Sequence, residues 1–343
     1  MAIRDWLYGL FASKARTEDD GLRRRGPATH VVILDGTMSS LRKGHETNAG
    51  RTLRLLQERG QTANLTVHYE AGIQWRDWYG TWGVMTGKGI NKQIERAYGR
   101  LASRYRPGDK IVLIGYSRGA YGVRSLAGVI DYVGLLRSEE ATTRAVRQAY
   151  RHYKIGARSF ASTKFSELYC HPDTKIEAVA VWDTVKALGL RLPIVWRWAQ
   201  AQHDYHNHAL GSHVKNGFHA LALDERRETY APVMWDCPAG WNGHVEQVWF
   251  RGTHGDVGGQ LTGHERARPL ANIPLVWMLD RLEACDLPLP PDWRDRFETD
   301  VNAPSAGSWG RWGWLFLSRR RRIMLADPSE RLHETVVSYL SSS

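Results

Sequence analysis

A serine hydroxyl becomes a useful nucleophile at neutral pH only when a base lies within hydrogen-bond reach and a carboxylate orients that base. The serine best placed for such work is Ser117, in Gly115-Tyr116-Ser117-Arg118-Gly119. The apolar run Ile111-Val112-Leu113-Ile114 precedes it, and Val123, Leu126, Ala127 and Ile130 follow at helical spacing. Strand, sharp turn and helix in that order put the serine at the apex of a nucleophile elbow. Glycines two before and two after it remove Cβ atoms that would collide in so tight a bend. Arg106-Pro107-Gly108-Asp109 is a turn signal ahead of the strand.

His254 is the best base, because it closes the strand expected at 245–250 and sits among glycines that permit close approach. Asp183, at the end of the stretch 176–182, is the best orienter. The chain order Ser117, Asp183, His254 suits a nucleophile–acid–base triad on such an elbow. Asp256 competes with Asp183 as the carboxylate, or supports the base from two residues away. His333 competes with His254 if a last strand lies beyond residue 320. The oxyanion of an acyl-transfer intermediate would be met by the backbone N–H of Arg118 and by that of Gly36 or Thr37, where Asp35 either orients the loop or simply caps the next turn. The Arg118 side chain suits a phosphate or carboxylate, although an internal salt bridge is the commoner fate of an arginine so placed. His254 and Asp256 have the chemistry of a metal pair, but nothing else completes the set, so neither a metal nor an organic cofactor is expected.

The elements that must position these groups are legible in the sequence pattern. Strands are predicted at 30–34, 63–69, 111–114, 176–182 and 245–250. A helix is predicted over 48–59, capped by Thr47 or Asn48 and stopped by Gly60, and Ile90, Ile94, Ala97 and Leu101 mark another. Strands alternating with helices imply an α/β fold with a doubly wound, mostly parallel sheet. Asp35, Ser117, Asp183 and His254 all close strands, and open sheets of this kind bind ligands at that edge.

One domain is expected over residues 28–343, preceded by an amphipathic segment and linker over 1–27 in which Ile3, Trp6, Leu7, Leu10 and Phe11 share a helical face. Residues 191–217, with His203, His206, His208 and His213, read as a lid-like insertion. In the C-terminal segment 305–343, Trp309, Trp312, Trp314, Leu315 and Phe316 precede Arg319-Arg320-Arg321-Arg322. That pattern suits either an anchor on anionic lipid or an aromatic hairpin with a solvated basic tip.

The 343 residues carry 47 Lys and Arg against 36 Asp and Glu, a net charge of +11, which favours anionic partners. The fifteen tryptophans suit a membrane interface. No apolar run reaches the length of a transmembrane helix, and charges interrupt Met1-Ala2-Ile3-Arg4-Asp5-Trp6 where a signal peptide needs its apolar core. Synthesis in the cytoplasm without conventional secretion is therefore expected. Cys170, Cys237 and Cys285 are odd in number and lack CxxC spacing, so they read as buried thiols.

Six stretches together carry a family resemblance: Val32-Ile33-Leu34-Asp35-Gly36-Thr37, Gly115 to Tyr121, Val181-Trp182-Asp183-Thr184-Val185, His219 to Arg227, Trp249 to Gly259, and Ile273 to Met278. The chain resembles, from about residue 30 to about residue 285, the α/β-hydrolase family that includes the catalytic domains of type VI secretion phospholipase effectors. Met38-Ser39 follows Asp-Gly-Thr where that family usually has Trp-Asn, and Glu70-Ala71-Gly72-Ile73-Gln74 replaces its glycine-rich loop. The resemblance implies an α/β-hydrolase fold and a Ser-Asp-His esterase acting on membrane glycerophospholipid, with Ser117, Asp183 and His254 as its triad. It further implies delivery without a signal peptide to the envelope of a target cell, and with it a secretion adaptor or an immunity protein. A carboxylesterase for a small ester is the alternative within hydrolases. An inactive fold that holds lipid or nucleic acid is the alternative outside them, although an intact triad is of no use to a binder and no nucleic-acid partner is expected.

Overall fold

The computed structural model describes residues 26–60, 64–72, 88–156, 159–185, 210–236, 242–308 and 318–342. Continuous apolar runs build its centre. Strands β1 (Thr29–Leu34), β2 (Leu65–Glu70), β3 (Lys110–Tyr116), β4 (Ile176–Trp182), β5 (Val214–Ala222), β6 (His244–Phe250) and β7 (Glu330–Leu332) form one sheet in the order β2-β1-β3-β4-β5-β6-β7. Every neighbouring pair is parallel, so all strands end at the same edge. Five of the six residues of β1 and six of the seven of β3 are buried, as expected for strands covered on both faces.

Helices α1 (Asn48–Glu58), α2 (Lys88–Ala102), α3 (Arg118–Tyr132), α4 (Thr143–Ile155), α5 (Phe160–Tyr169), the one-turn α6 (His254–Gly258), α7 (Arg268–Ala284) and α8 (Glu334–Ser342) are the α-helices among the described residues. Alternate strand residues divide the core into two layers. Val32, Leu34, Ile111 and Leu113 pack with α2, α3 and α4, whereas Val31, Ile33, Val112 and Ile114 pack with α1 and α7. Thr47 caps α1 by accepting the Gly50 N–H at 2.9 Å. Helix α7 is apolar on nearly every side and correspondingly buried, and its Pro274 carbonyl accepts the Trp182 indole N–H at 3.1 Å.

From β1 the chain builds outward to β2, then crosses back to β3 and proceeds the other way through β7. The strand order therefore reverses between β1 and β3, which opens a crevice at their carboxyl ends. Ser117 and the Asp35-Gly36-Thr37 turn lie there.

The predicted strands and the three predicted helices are present, with β2 shifted to Leu65–Glu70. Strand β5 was not expected: its first residues fall inside the stretch assigned to an insertion. The rest of that stretch through residue 209, the N-terminal apolar face, the loop from Ile73, Cys237 and the Trp309–Phe316 cluster lie outside the described residues. Among the described residues no helix is long and apolar enough to cross a membrane.

Candidate active site

The elbow is built by close approach. A Cβ on Gly119 would lie 2.1 Å from the Leu34 carbonyl oxygen, and one on Gly115 would lie 2.6 Å from the Ala120 Cα. Both glycines are thus required where α3 leaves the sheet beside β1. Ser117 itself takes φ 57° and ψ −122°, a conformation that non-glycine residues rarely adopt. Asp183 also has a positive φ, of 40°. Two of the three expected triad residues therefore sit on strained strand ends, held by main-chain bonds from Ser117 N to the Trp182 carbonyl (3.0 Å) and from Asp183 N to the Ala220 carbonyl (2.8 Å).

Those strand ends bring Ser117, His254 and Asp183 into one hydrogen-bonded chain. His254 Nε2 is 2.8 Å from Ser117 Oγ, and His254 Nδ1 is 2.6 Å from Asp183 Oδ2. An ionised carboxylate only accepts, so Nδ1 carries the proton and donates it to Asp183. Nε2 is then left to accept from the Ser117 hydroxyl. The His254 ring is fixed by Tyr116, stacked at 5.0 Å between centroids, and by Tyr230, edge-on at 4.8 Å. Its backbone N–H donates to Glu225 Oε2 at 3.2 Å. Glu225 is itself gripped by Arg227 at 2.6 and 2.8 Å.

Asp183 is fully buried. Its Oδ1 accepts from the Ala222 N–H (3.0 Å) and from Arg322 (2.6 Å), and its Oδ2 accepts from His254 and from Arg322 (2.9 Å). Desolvation alone would raise its pKa. The Arg322 charge and the His254 hydrogen bond outweigh that and hold the carboxyl well below the usual range. Arg322 also donates to the carbonyls of Ala222 (2.7 Å) and Tyr230 (2.5 Å). Its side chain is only 5% exposed, so it is neither a solvated tip nor a lipid anchor.

The expected oxyanion donors divide. The Gly36 N–H is spent on Asp35 Oδ1 at 2.7 Å, which corrects its assignment as a donor. Gly36 supplies room instead: a Cβ there would lie 2.5 Å from the Tyr116 ring and 3.3 Å from Ser117 Cβ. Among the described residues the N–H groups of Thr37 and Arg118 have no acceptor. Asp35 orients the turn, also accepting from Thr47 and Tyr69, each at 2.8 Å; burial pushes its pKa up to about 6. Gln260 donates to the Thr37 carbonyl at 3.0 Å and ties this turn to the loop after His254.

The competing residues lie elsewhere. Asp256 caps α6, accepting from Thr253 N and Oγ1 (2.8 Å each), Ser305 Oγ (2.5 Å) and Ala306 N (2.8 Å), so it holds the turn that carries His254 rather than the imidazole. His333 stacks on Phe250 at 4.6 Å and pairs with Thr335, and burial pushes its pKa down to about 4. Arg118 is half-buried and, contrary to the expected internal salt bridge, has no acidic partner among the described residues. Glu225, Arg227, Tyr230 and Arg322 were not singled out from sequence. Glu225 and Arg227 fall within one of the stretches that carried the resemblance, which was the only signal for them.

Residues 29–281 match the family described as the T6SS phospholipase effector Tle1-like catalytic domain. An uncharacterised protein of Saccharomyces cerevisiae, YEL023C, is 25% identical over 254 residues, which are 65% of this chain and 35% of the yeast protein. A solved structure of the Tle1 effector bound to the VgrG spike of the type VI secretion system aligns with 19% identity and a TM-score of 0.38, over 68% of this chain and 51% of that one. The chain thus corresponds to about a third of the yeast relative's length and about half of the solved effector's. With the match spanning the sheet from β1 through β6 and most of α7, this chain belongs to the family of Tle1-like phospholipase effector catalytic domains.

Proposed function

We propose that this chain is a serine ester hydrolase of membrane glycerophospholipid, with Ser117 as nucleophile, His254 as general base and acid, and Asp183 as the carboxylate that orients and stabilises the imidazolium. The observation that carries this reading is the unbroken chain from Ser117 Oγ through His254 to a buried, ionised Asp183 at the carboxyl edge of the sheet. Ser117 Oγ attacks the acyl carbonyl while its proton passes to His254 Nε2. The N–H groups of Arg118 and Thr37 receive the oxyanion, each such donor contributing roughly 3 kcal/mol to the transition state. Collapse of the intermediate breaks the ester C–O bond, and His254 returns the proton to the leaving lysophospholipid alkoxide. Water, deprotonated by His254, then attacks the acyl-serine, and the fatty acid departs as Ser117 regains its proton.

Membership of a phospholipase effector family supports the substrate class. It also supports delivery by a type VI secretion machine to the envelope of a target cell, with a secretion component as partner. The test is product analysis by mass spectrometry of mixed anionic phospholipid vesicles incubated with wild type and with Ser117→Ala. Wild type releases fatty acid and lysophospholipid, and the variant loses on the order of 10⁴-fold or more of that activity. Equal release by both proteins would overturn the assignment of Ser117.

A further inference from the structure

We infer that Arg322 is a positioning residue of the catalytic apparatus, one that lies outside the family-matched residues 29–281 and acts through Asp183. The inference rests on the triad reading above. Arg322 reaches Asp183 from a short strap, residues 318–322, that runs antiparallel to the segment following β5. The strap is held by Glu228 N to the Ser318 carbonyl (3.0 Å), Arg320 N to the Arg226 carbonyl (2.7 Å) and Ser318 Oγ to Glu228 (2.5 Å). That same segment carries Glu225, which holds the backbone of His254, and Tyr230, which packs on its ring. One strap therefore fixes the orienting carboxylate and pairs with the segment that holds the base.

The bidentate fork does two things. It fills the two acceptor sites of Asp183 that Ala222 and His254 leave open, so the carboxylate cannot rotate away from the imidazole. It also places a permanent positive charge against a fully buried anion that would otherwise favour protonation. That charge favours the ionised carboxylate and opposes any further positive charge beside it. Among the described residues, the other groups facing the pair leave Arg322 as the charge that sets this balance. Glu225 is neutralised by Arg227; His219, pushed down to about 3 by burial, is neutral; Asp256 is spent on capping α6; Tyr116 and Tyr230 present uncharged rings. Asp35 lies beyond Tyr116 at the end of β1, Arg124 donates to the carbonyls of Val233 and Met234, and Arg118 follows the nucleophile.

The test is the rate at which a fluorophosphonate probe labels Ser117 in the full chain, followed from about pH 5 to about pH 9. It needs no knowledge of the natural ester. Wild-type labelling that is abolished in Ser117→Ala upholds the triad reading; no labelling of wild type at any pH fells that reading and this inference with it. In Arg322→Met the acid limb moves to higher pH by about one unit or more, because a positive charge in direct contact with the pair is gone. Labelling at neutral pH falls by about 100-fold. Arg322→Lys keeps a charge but not the fork, so its acid limb stays near that of wild type while its plateau rate falls by about tenfold. Lys is also the variant to read should Arg322→Met fail to fold. An unshifted limb in a folded Met variant, or a wild-type plateau in the Lys variant, would overturn the inference.

Discussion

Three arginines surround the candidate site, and what each is bonded to separates their roles. Arg227 is consumed by Glu225 and lies over the Tyr230 ring at 3.9 Å, and Arg322 is consumed by Asp183. Arg118, next to the nucleophile, has no acidic partner among the described residues, and burial pulls its pKa below the ordinary arginine value. Against the proposed glycerophospholipid substrate, a guanidinium without an acidic partner among the described residues would meet the negative charge of the phosphodiester. In Arg118→Gln the backbone N–H survives and the charge does not. The ratio of kcat/KM for anionic phospholipid to that for a neutral short-chain ester should fall by about tenfold or more, in line with a charge-assisted hydrogen bond. Parallel losses on both substrates would assign Arg118 to holding the elbow instead. Of this division only the fitness of Arg118 for a phosphate or carboxylate was legible in sequence. Four consecutive arginines at 319–322 read as part of a lipid anchor or as a solvated basic tip, and only the fold shows that the last of them turns inward.

The elbow was legible because its steric requirement is local. A buried strand running into a helix around a serine needs glycine on both flanks, and the would-be Cβ contacts of Gly115 and Gly119 are with backbone atoms that cannot move independently. Gly119→Ala should therefore push α3 off β1, destabilise the protein by about 3 kcal/mol or more and abolish labelling of Ser117. Gly108 gives the contrast: its φ is +92°, and a Cβ there would meet nothing within 4 Å. Gly108→Ala should cost about 1–2 kcal/mol of backbone strain and leave the labelling rate close to wild type. Urea unfolding beside a labelling assay measures both quantities. Strands β1, β3 and β4 were legible for a related reason, being largely apolar runs that end in a polar or glycine-rich turn, and β6 was legible from Val248-Trp249-Phe250 ahead of its glycine-rich turn. Strand β5 was not, because Lys215, Asn216 and Gly217 follow its first residue and break the run. Strand β7 has only three residues, two of them charged, and it exists because β6 offers it an edge.

At the scale of the molecule, the matched family region holds the three proposed triad residues but not everything that fixes them. Ser305 and Ala306 hold Asp256 and hence the turn of His254, Arg322 holds Asp183, and β7 covers the edge of β6 while Glu330 accepts the Trp249 indole N–H at 2.8 Å. Residues beyond 281 therefore complete the site rather than append to it. A chain ended after residue 308 loses Arg322 and β7 together, leaving a buried carboxylate without its cation and a strand edge without its partner. Its Ser117 labelling should fall at least as far as that of Arg322→Met, with a Tm lowered by several degrees, on the order of 5 °C. A chain ended after His333 lacks only α8 and keeps both features, so its labelling should stay within about threefold of wild type even as the loss of buried Val336 lowers Tm slightly. Wild-type labelling by the shorter chain would mean that Asp183 is held without Arg322, and that the C-terminal arm serves some other task.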